Sequence, residues 1–567
     1  MSQEYKVVSI LDTRLEATSG QAVTFALEKG AKYINYNSKG SNYFSNQGGN
    51  WILDPTGDLT CRDPRIVLEV PQITITLNVT NTTGGALKVI TADNFGLKKY
   101  PLARSMVAVN HQINAASYPF NPYQILDALA HLNDTSQDAN YYPVTQPDLI
   151  DSYANATGSA INPLGPYSNS AAGEGVFKPR TPQFTVTNNT VAGGATQTVT
   201  ITIVGHIEPL ITYYTNIGSK DRRALYGINN ETVQVQFCNN LLQSMVAFVA
   251  PAGITVNSST VDLGNTANLR TIILTPPDDI VASLPRNSVY QHPIYEPQSY
   301  SYGSLAPAAV LPFNQTINFN NIPTKILVFA KLASQDYATS APDKYLHIKS
   351  AIVTFDSQQP CLSTATPRQL WEVSTRNGLC LPWQCWDQQV LNSSLVAGGA
   401  PALYGCGSVL CLSPAYDLSI RTGAASGSAG RYVCNFQMQF ENLTATAFPS
   451  VQIWVVGVTE GILERDGSMY RDYQQTFPTD ILAQAGLAGY VTQQQFRMEN
   501  ADNAFLSGGG LKDLLAKAAS WAVSHPKELI DAAQTGSKLI SEGRKLLGKG
   551  TLQSQMENAP RQKLFYQ

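Results

Sequence analysis

Six histidines are the side chains best suited to proton transfer at neutral pH, and they are scattered, at positions 111, 131, 206, 292, 347 and 525. The sequence contains no H-E-x-x-H, G-x-S-x-G, P-loop or dinucleotide-binding motif. Gly405-Cys406-Gly407-Ser408 looks like a nucleophile elbow, but it precedes a strand-like VLCL instead of a helix, so it predicts a turn. We therefore expect no catalytic residues, no cofactor and no enzymatic activity.

Eight cysteines could bind a metal or form disulfides, and they lie at positions 61, 238, 361, 380, 385, 406, 411 and 434. No C-x-x-C pair and no neighbouring histidine pair accompanies them, so we expect no zinc or other metal site. Cys411 and Cys434 stand among apolar residues, which is typical of buried free thiols. Disulfides are the less favoured interpretation.

Three tryptophans, Trp371, Trp383 and Trp386, form a local aromatic cluster that could stack against a sugar. Packing in a core or at a subunit interface is the more favoured interpretation. The sequence alone leaves both open.

The chain has 567 residues, of which only 14% are charged while 43% are hydrophobic, so its polarity comes from Asn, Gln, Ser and Thr. Such a surface can be buried against copies of itself at lower desolvation cost than one rich in Lys and Glu. The charged start MSQEYKVVSILDTRLE predicts no signal peptide, and no apolar stretch is long enough to predict a membrane span. We expect a cytosolic product that assembles, with a secreted β-protein as the alternative.

Period-two runs such as RIVLEVPQITITLNVT over 65–80 predict β-strands. Further strands are expected at 106–113, 198–207, 232–237, 245–256, 269–274, 324–331, 345–355, 408–412, 431–440 and 451–458, with short helices at 121–132 and 367–376. Gly84-Gly85 and Gly193-Gly194 predict hairpin turns, and Asn377-Gly378 predicts a helix end.

The strands fall into two antiparallel β domains. We place an N-terminal arm at 1–60, the first β domain at 61–280 with a long loop insertion at about 114–182, and a Pro- and Tyr-rich connection at 281–313. The second β domain follows at 314–465, and a segment at 466–510 ends in a glycine hinge, Ser507-Gly508-Gly509-Gly510.

The last segment, 511–567, reads as a basic amphipathic helical tail. It holds nine basic and five acidic residues, a net charge of +4, which leaves −7 for the rest of a chain whose total is −3. The tail could pack on its parent domain, or it could contact nucleic acid or a membrane on an internal surface. The candidate contact residues are Lys512, Lys517, Trp521, Lys527, Lys538, Arg544, Lys545 and Lys549.

From residue 345 the segments YLHIKSAIVTF, CLSTATPRQLWEVSTRNGL with PWQCW, GSVLCLSPAYDLSI, RYVCNFQMQFENLT and VQIWVVGV follow one another. This order resembles the second half of double jelly-roll major capsid proteins of the adenovirus-hexon lineage, of the virophage, polinton-like virus and adintovirus type. The segment 100–102, VAVNHQIN, the segment 162–164, and IEPL followed by LYGINNETVQVQF are similar to the first half, so the resemblance runs from about residue 65 to 461.

The resemblance implies an all-β fold of two consecutive jelly rolls plus a C-terminal α-helical tail. It also implies a homotrimer that forms pseudo-hexameric capsomers and then an icosahedral capsid lattice. Penton or minor capsid proteins are the expected partners, with viral nucleic acid or an internal membrane reached through the tail. The expected location is the virion, assembled in the host cytoplasm or nucleus.

Three alternatives stay open at the level of sequence. In the first, a single-jelly-roll capsid protein releases a membrane-active peptide at Asn503-Ala504, at a place resembling the cleavage site of nodavirus and tetravirus capsid proteins. The second is a carbohydrate-binding or receptor-binding β-protein that uses the Tyr- and Trp-rich segments. The third, a hydrolase on a β-sandwich, lacks an identifiable catalytic cluster.

Overall fold

Alternating apolar and polar residues form long strands in the computed structural model. It describes residues 4–5, 32–37, 44–62, 66–91, 94–132, 184–210, 212, 225–274, 287–339, 344–356, 359–389, 404–418, 429–444, 447–466, 469–474 and 491–492. In the strand Val67–Asn81, for example, Ile73, Ile75 and Leu77 are buried while the threonines between them face outward. This period-two burial is the physical basis of the sheets described below.

The strands before residue 280 are β1 Glu4–Tyr5, β2 Lys32–Asn37, β3 Gly48–Leu53, β4 Gly57–Arg62, β5 Val67–Asn81, β6 Leu87–Lys88, β7 Phe95–Leu97, β8 Met106–Ile113, β9 Ala116–Phe120, β10 Phe184–Thr187, β11 Thr190–Val191, β12 Thr196–Pro209, β13 Leu225–Ile228, β14 Glu231–Phe237, β15 Val246–Phe248, β16 Ile254–Asp262 and β17 Asn268–Leu274. Two short α-helices accompany them, α1 Leu126–Leu129 and α2 Leu241–Met245, with 3-10 turns at Ala103–Ser105 and Ala130–Leu132.

The later strands are β18 Asn287–Tyr302, β19 Val310–Asn321, β20 Lys325–Leu332, β21 His347–Phe355, β22 Val409–Leu412, β23 Ala429–Glu441, β24 Val451–Asp466, β25 Met469–Gln474 and β26 Val491–Thr492. The helices here are α3 Pro367–Arg376, α4 Trp383–Trp386 and α5 Pro414–Asp417, with a 3-10 turn at Ser334–Asp336.

The first group of strands builds two facing antiparallel sheets. One has eight strands, in the order β10-β12-β5-β17-β4-β13 with β16 also paired to β5 and β2 to β17, and the other has the order β3-β14-β8-β9. Three separate two-stranded sheets pair β11 with β6, β15 with β7, and β1 with β26. The apolar residues of both sheets meet in one core that includes Trp51, Val70, Ile75, Val109 and Val233.

The second group repeats the arrangement with a five-stranded sheet, β18-β24-β20-β22 with β25 paired to β24, and a three-stranded sheet, β19-β23-β21. Strands distant in sequence are neighbours in both groups, as Greek-key crossovers require, and each pair of sheets forms a jelly roll. The predicted all-β fold of two consecutive jelly rolls is therefore confirmed, and the single-jelly-roll alternative is wrong. The predicted helical tail lies outside the described residues.

Several boundaries differ from the sequence prediction. The supposed connection at 281–313 is wrong for residues 287–302, which form the sixteen-residue strand β18 despite Pro293 and Pro297, and for residues 310–313, which begin β19. Strand β18 pairs only with β24, so it lies at the edge of its sheet. A proline whose nitrogen faces the unpaired side of an edge strand removes no hydrogen bond between strands.

The N-terminal arm predicted at 1–60 is likewise wrong for β2, β3 and β4, which are sheet members. Trp51 of β3 is fully buried, and its indole nitrogen donates to the Ala267 carbonyl at 3.2 Å, so this segment belongs to the first core. The strand predicted over 245–256 is interrupted between β15 and β16, and the predicted loop insertion at about 114–182 begins with β9 and α1. Residues 133–183 lie outside the described part.

A fully buried ionic group lies inside the first jelly roll. Arg62 Nε is 2.5 Å from one carboxylate oxygen of Glu231, and His111 Nε2 is 2.9 Å from the other. Burial alone would raise the pKa of the Glu231 carboxyl, but Arg62 and His111 outweigh it and lower that pKa below its usual value. The group ties β4, β8 and β14 together across the two sheets.

The segment Gly405-Cys406-Gly407-Ser408 is not a nucleophile elbow, and it is not the turn that the sequence predicts either: it is irregular backbone that leads into β22 and bonds to residues 345–346, 385 and 389. Cys406 and Ser408 are completely buried, and Ser408 Oγ donates to the Trp386 carbonyl at 2.8 Å. Gly407 has a φ of +103°, and a Cβ there would lie 2.1 Å from the Tyr345 carbonyl oxygen. Only glycine fits this position.

We expect Gly407→Ala to lower the free energy of unfolding by at least about 2 kcal/mol, because it adds a backbone clash to a disfavoured φ. The midpoint of thermal unfolding measures this loss. Gly303→Ala is the control, since a Cβ there meets no atom within 4 Å. Equal midpoints for the two variants would contradict the assignment.

Candidate functional site

The two jelly rolls share a continuous apolar core along one seam. The core of the second jelly roll includes buried residues contributed by the first, namely Tyr100, Ala103, Ile113, Ala116, Tyr118, Phe120, Ile125, Leu126, Ala128, Leu129, Ala130, Leu225 and Ile228. We call this contact region the seam. Because apolar surface is removed from water on both sides, the seam resembles a domain core more than a transient contact between domains.

An ion pair is buried in the seam. Lys331 Nζ, on β20 of the second jelly roll, lies 3.0 and 2.9 Å from the two carboxylate oxygens of Asp127, on α1 of the first. Arg104 Nη2 is 4.0 Å from the same carboxylate, and Lys99 Nζ donates to the Asp127 carbonyl oxygen at 2.6 Å. The side chains of the Asp127–Lys331 pair are only 3% and 5% exposed, so each charge depends on its partners instead of on water.

The apolar residues of helix α1 hold Asp127 in place. Leu126 and Leu129 are buried in the shared core and anchor the helix. The 3-10 turn that follows continues the contact, since the His131 carbonyl accepts from the Cys380 backbone N–H at 2.7 Å. The predicted helical segment 121–132 thus packs its apolar residues into the core of the second jelly roll.

Hydrogen bonds to backbone carbonyls also fix the position of one jelly roll against the other. Lys98 Nζ donates to the Gln243 carbonyl in the first jelly roll at 2.7 Å and to the Ala338 carbonyl in the second at 2.9 Å. Phe248 and Thr339 bond reciprocally, by the Phe248 N–H to the Thr339 carbonyl and by Thr339 Oγ1 to the Phe248 carbonyl. A sliding motion along the seam would break all of these bonds together.

The opposite end of the seam is closed by tyrosines. Tyr470 of β25 donates its hydroxyl to the Tyr226 carbonyl at 2.6 Å, and the Arg465 guanidinium lies 4.0 Å from the Tyr226 ring centroid. Tyr118 of β9 donates to the Pro293 carbonyl at 3.1 Å. Burial raises the pKa values of Tyr118 and Tyr470 well above the ordinary value, so both remain neutral donors.

A cavity of about 170 Å³ adjoins the buried ion pair. Its lining includes Arg104, Asp127 and Lys331, together with residues 336–338 and 447–449 of the second jelly roll. Asp336 accepts a hydrogen bond from Ser450, and Lys344 stacks on Phe448 at 4.8 Å. The cavity is therefore part of the seam, with its charges engaged within the protein.

The histidines in the described part of the chain have structural contacts. His206 Nε2 is 3.2 Å from Glu208, and that carboxylate accepts the backbone N–H groups of Leu102 and Ala103, both at 2.9 Å. His292 Nε2 lies 2.9 Å from Asp472, and burial lowers the pKa of His347, 3.6 Å from Asp387. Among the described residues, no group of three His, Cys, Asp or Glu side chains could hold a metal ion.

The cysteines match the predicted free thiols wherever they are described, at positions 238, 361, 380, 385, 406, 411 and 434. Burial raises the pKa of Cys385 to about 11 and that of Cys411 to about 12, and it raises the pKa of Cys434 as well. These thiols therefore stay protonated at neutral pH.

The tryptophan cluster is mainly a packing element. Trp386 is fully buried, stacks on Trp383 with ring centroids 5.8 Å apart, and donates its indole N–H to the Val409 carbonyl at 2.9 Å. The Arg368 guanidinium lies 4.3 Å from the Trp371 ring and 5.0 Å from the Trp383 ring. An intramolecular cation therefore occupies the aromatic surface that a sugar would need.

The residues predicted to contact genome or membrane lie outside the described residues, as do Asn503 and Ala504. The seam residues Asp127 and Lys331 were not singled out from the sequence. Their only signal is a charged residue in a mostly apolar segment: Asp127 in LDALAHL, and Lys331, the second of two lysines, in KILVFAKL. No described helix combines the length and apolar composition that crossing a bilayer requires.

We expect Lys331→Met to cost about 3–5 kcal/mol of folding free energy, because it strands the Asp127 carboxylate in the seam. Asp127→Asn combined with Lys331→Met should recover much of the loss, since the double variant removes both charges of the pair together. Unfolding midpoints at one fixed protein concentration measure both effects.

Lys349→Met is the matched control, because Lys349 is 47% exposed although it lies 3.2 Å from Glu441. We expect its effect to stay within about 0.5 kcal/mol. A Lys331→Met variant as stable as this control would show that the buried pair contributes nothing to the seam.

Sequence families match both halves of the chain. The family described as Sputnik virophage major capsid protein 1st domain matches residues 3–269, and the family described as major capsid protein V20 C-terminal domain matches residues 295–461. A curated relative, the putative capsid protein V20 of Sputnik virophage, is 24% identical over 476 residues, which cover 81% of this chain and 78% of the relative.

Solved structures show the same fold. The cryo-EM structure of the Sputnik virophage superposes with a TM-score of 0.70 at 20% identity, covering 87% of this chain and 98% of that chain. The crystal structure of the mavirus major capsid protein gives a TM-score of 0.64 at 18% identity, covering 85% and 98%. With both halves matched in order and joined through one core, this chain belongs to the double jelly-roll major capsid proteins of the virophage type.

Proposed function

We propose that this capsid protein trimerises into a pseudo-hexameric capsomer, and that many capsomers tile an icosahedral shell. The observation that carries the proposal is the seam, which fixes two jelly rolls as one body through the Asp127–Lys331 pair and the shared core. Three such chains present six similarly shaped units around a threefold axis. Flat sixfold packing of units is what a large closed shell requires over most of its surface.

The low charge of the chain supports repeated burial. Each contact between capsomers can be individually weak, because many contacts add up over a closed shell. The two capsid protein families and the one curated relative reported above support the same assignment over an enzymatic one. Penton or minor capsid proteins as partners, and assembly in the host cytoplasm or nucleus, remain predictions from the sequence.

We expect the purified chain to be a trimer in solution and to form sheets or shells at high concentration. Light scattering coupled to size exclusion measures the mass of the oligomer, and negative-stain electron microscopy detects the assemblies. A monodisperse monomer at every concentration tested, with a native circular dichroism spectrum, would contradict the proposal.

The tail is proposed to lie on the inner side of the shell, with its basic residues near the genome or an internal membrane. The support is the charge contrast, +4 over 511–567 against −7 for the rest of the chain. The amphipathic pattern suits contact with either phosphate-bearing partner. Release of the tail by cleavage at Asn503-Ala504 remains a minor alternative, which the intact mass of the chain in purified particles would reveal.

Deletion of residues 508–567 should leave trimers intact and reduce the nucleic acid packaged per particle. The reason is that the tail carries the net positive charge of the chain while the jelly rolls carry the assembly surfaces. The ratio of absorbance at 260 and 280 nm of purified particles measures the change. A particle yield and nucleic acid content equal to those of the full chain would contradict this role.

A further inference from the structure

The outer face of the eight-stranded sheet is a regular array of small uncharged polar side chains, which we call the threonine face. Cross-strand registers align it in four rows over β10, β12, β5 and β16. The rows are Thr185, Thr202, Thr74 and Asp262; Thr187, Thr200, Thr76 and Thr260; Thr198, Asn78 and Ser258; and Thr196, Thr80 and Thr255. Asp262, at one corner, is the single charge among these residues.

The threonine face is ordered and partly apolar. Thr80 and Thr196 share a hydrogen bond at 2.8 Å between their hydroxyls, and Asn257 donates to Thr80 Oγ1 at 2.8 Å. Beyond Thr202 the face continues with Val204, which is 67% exposed, the largest exposure among the large apolar residues that are exposed in the described part. A face of methyl groups and hydroxyls can be desolvated at far lower cost than one of lysines and glutamates.

A second uncharged face lies on the other jelly roll, on the outside of the three-stranded sheet. We call it the amide face. Its rows over β19, β23 and β21 are Pro312, Gln439 and Ser350; Asn314, Gln437 and Ile352; and Thr316, Asn435 and Thr354. The ion pair of Lys349 with Glu441 marks one end of it. Side-chain amides offer both donors and acceptors, which match the hydroxyls of the threonine face.

We infer that the threonine face of one chain packs against the amide face of a second copy of the same chain. The inference rests on the proposed trimer, because a threefold ring requires two different patches on each chain, whereas one self-complementary patch would give a dimer. The two faces lie on different jelly rolls, so each copy can offer one face to each neighbour. Hydroxyl-to-amide hydrogen bonds then set the register without burying ions.

The test places one lysine in the middle of each face. Thr198→Lys and Gln437→Lys alter exposed, outward strand residues, so the isolated chain keeps its fold and the ammonium is buried only on association. We expect each variant to self-associate about 100-fold more weakly than the unaltered chain, because the ammonium has no counter-ion in the contact. Thr260→Lys on β16 is a second variant of the threonine face.

Gln234→Lys is the matched control, since Gln234 is also an exposed, outward strand residue, on the four-stranded sheet. We expect it to remain a trimer. Sedimentation velocity gives the oligomeric state, and circular dichroism verifies that each variant is folded.

Mixing the two face variants gives a distinctive result. Thr198→Lys retains its amide face and Gln437→Lys retains its threonine face, so an equimolar mixture should form 1:1 dimers that cannot close into trimers. Trimers formed by the folded face variants, or equal loss of trimers in Gln234→Lys, would overturn the inference while leaving the proposed function intact. An unaltered chain that stays monomeric would instead overturn the trimer itself.

Discussion

The burial of one ion pair between two jelly rolls constrains the rest of the structure. Asp127 and Lys331 are 204 residues apart in sequence, and leaving either charge in the seam without the other is costly. A buried pair adds little net stability compared with apolar packing, but it strongly penalises every arrangement in which the charges do not meet. The apolar residues around it supply the driving force for contact, and the pair selects one relative position of the two jelly rolls.

That fixed position is what makes the chain a building block. Two jelly rolls joined by a flexible linker would adopt many relative orientations. Each assembly contact would then be weakened by the entropy lost when one orientation is fixed. In this protein the relative orientation of the two jelly rolls is already fixed when the single chain folds. The uncharged faces of the sheets can then be used for contacts that are weak one by one and specific in combination.

The sequence was most informative where local chemistry decides the structure. Period-two alternation predicted β5, β8 and β14 to within about two residues, and the helix at 367–376 was predicted from the helix-like segment PRQLWEVSTR and the Asn377-Gly378 end. Strand β18 was missed because Pro293 and Pro297 are signals of a loop in general, and only the position of this strand at a sheet edge makes them acceptable. The seam was missed for a different reason. Nothing local in LDALAHL or KILVFAKL tells which distant charge will neutralise Asp127 or Lys331.

The free cysteines decide how the protein responds to reducing and oxidising surroundings. The thiolate is the reactive form, and burial keeps Cys385, Cys411 and Cys434 protonated. None of the described cysteines is in a disulfide. A particle built from this protein can thus pass from a reducing cell interior to aerated water with the thiols at these three buried positions shielded from oxidation.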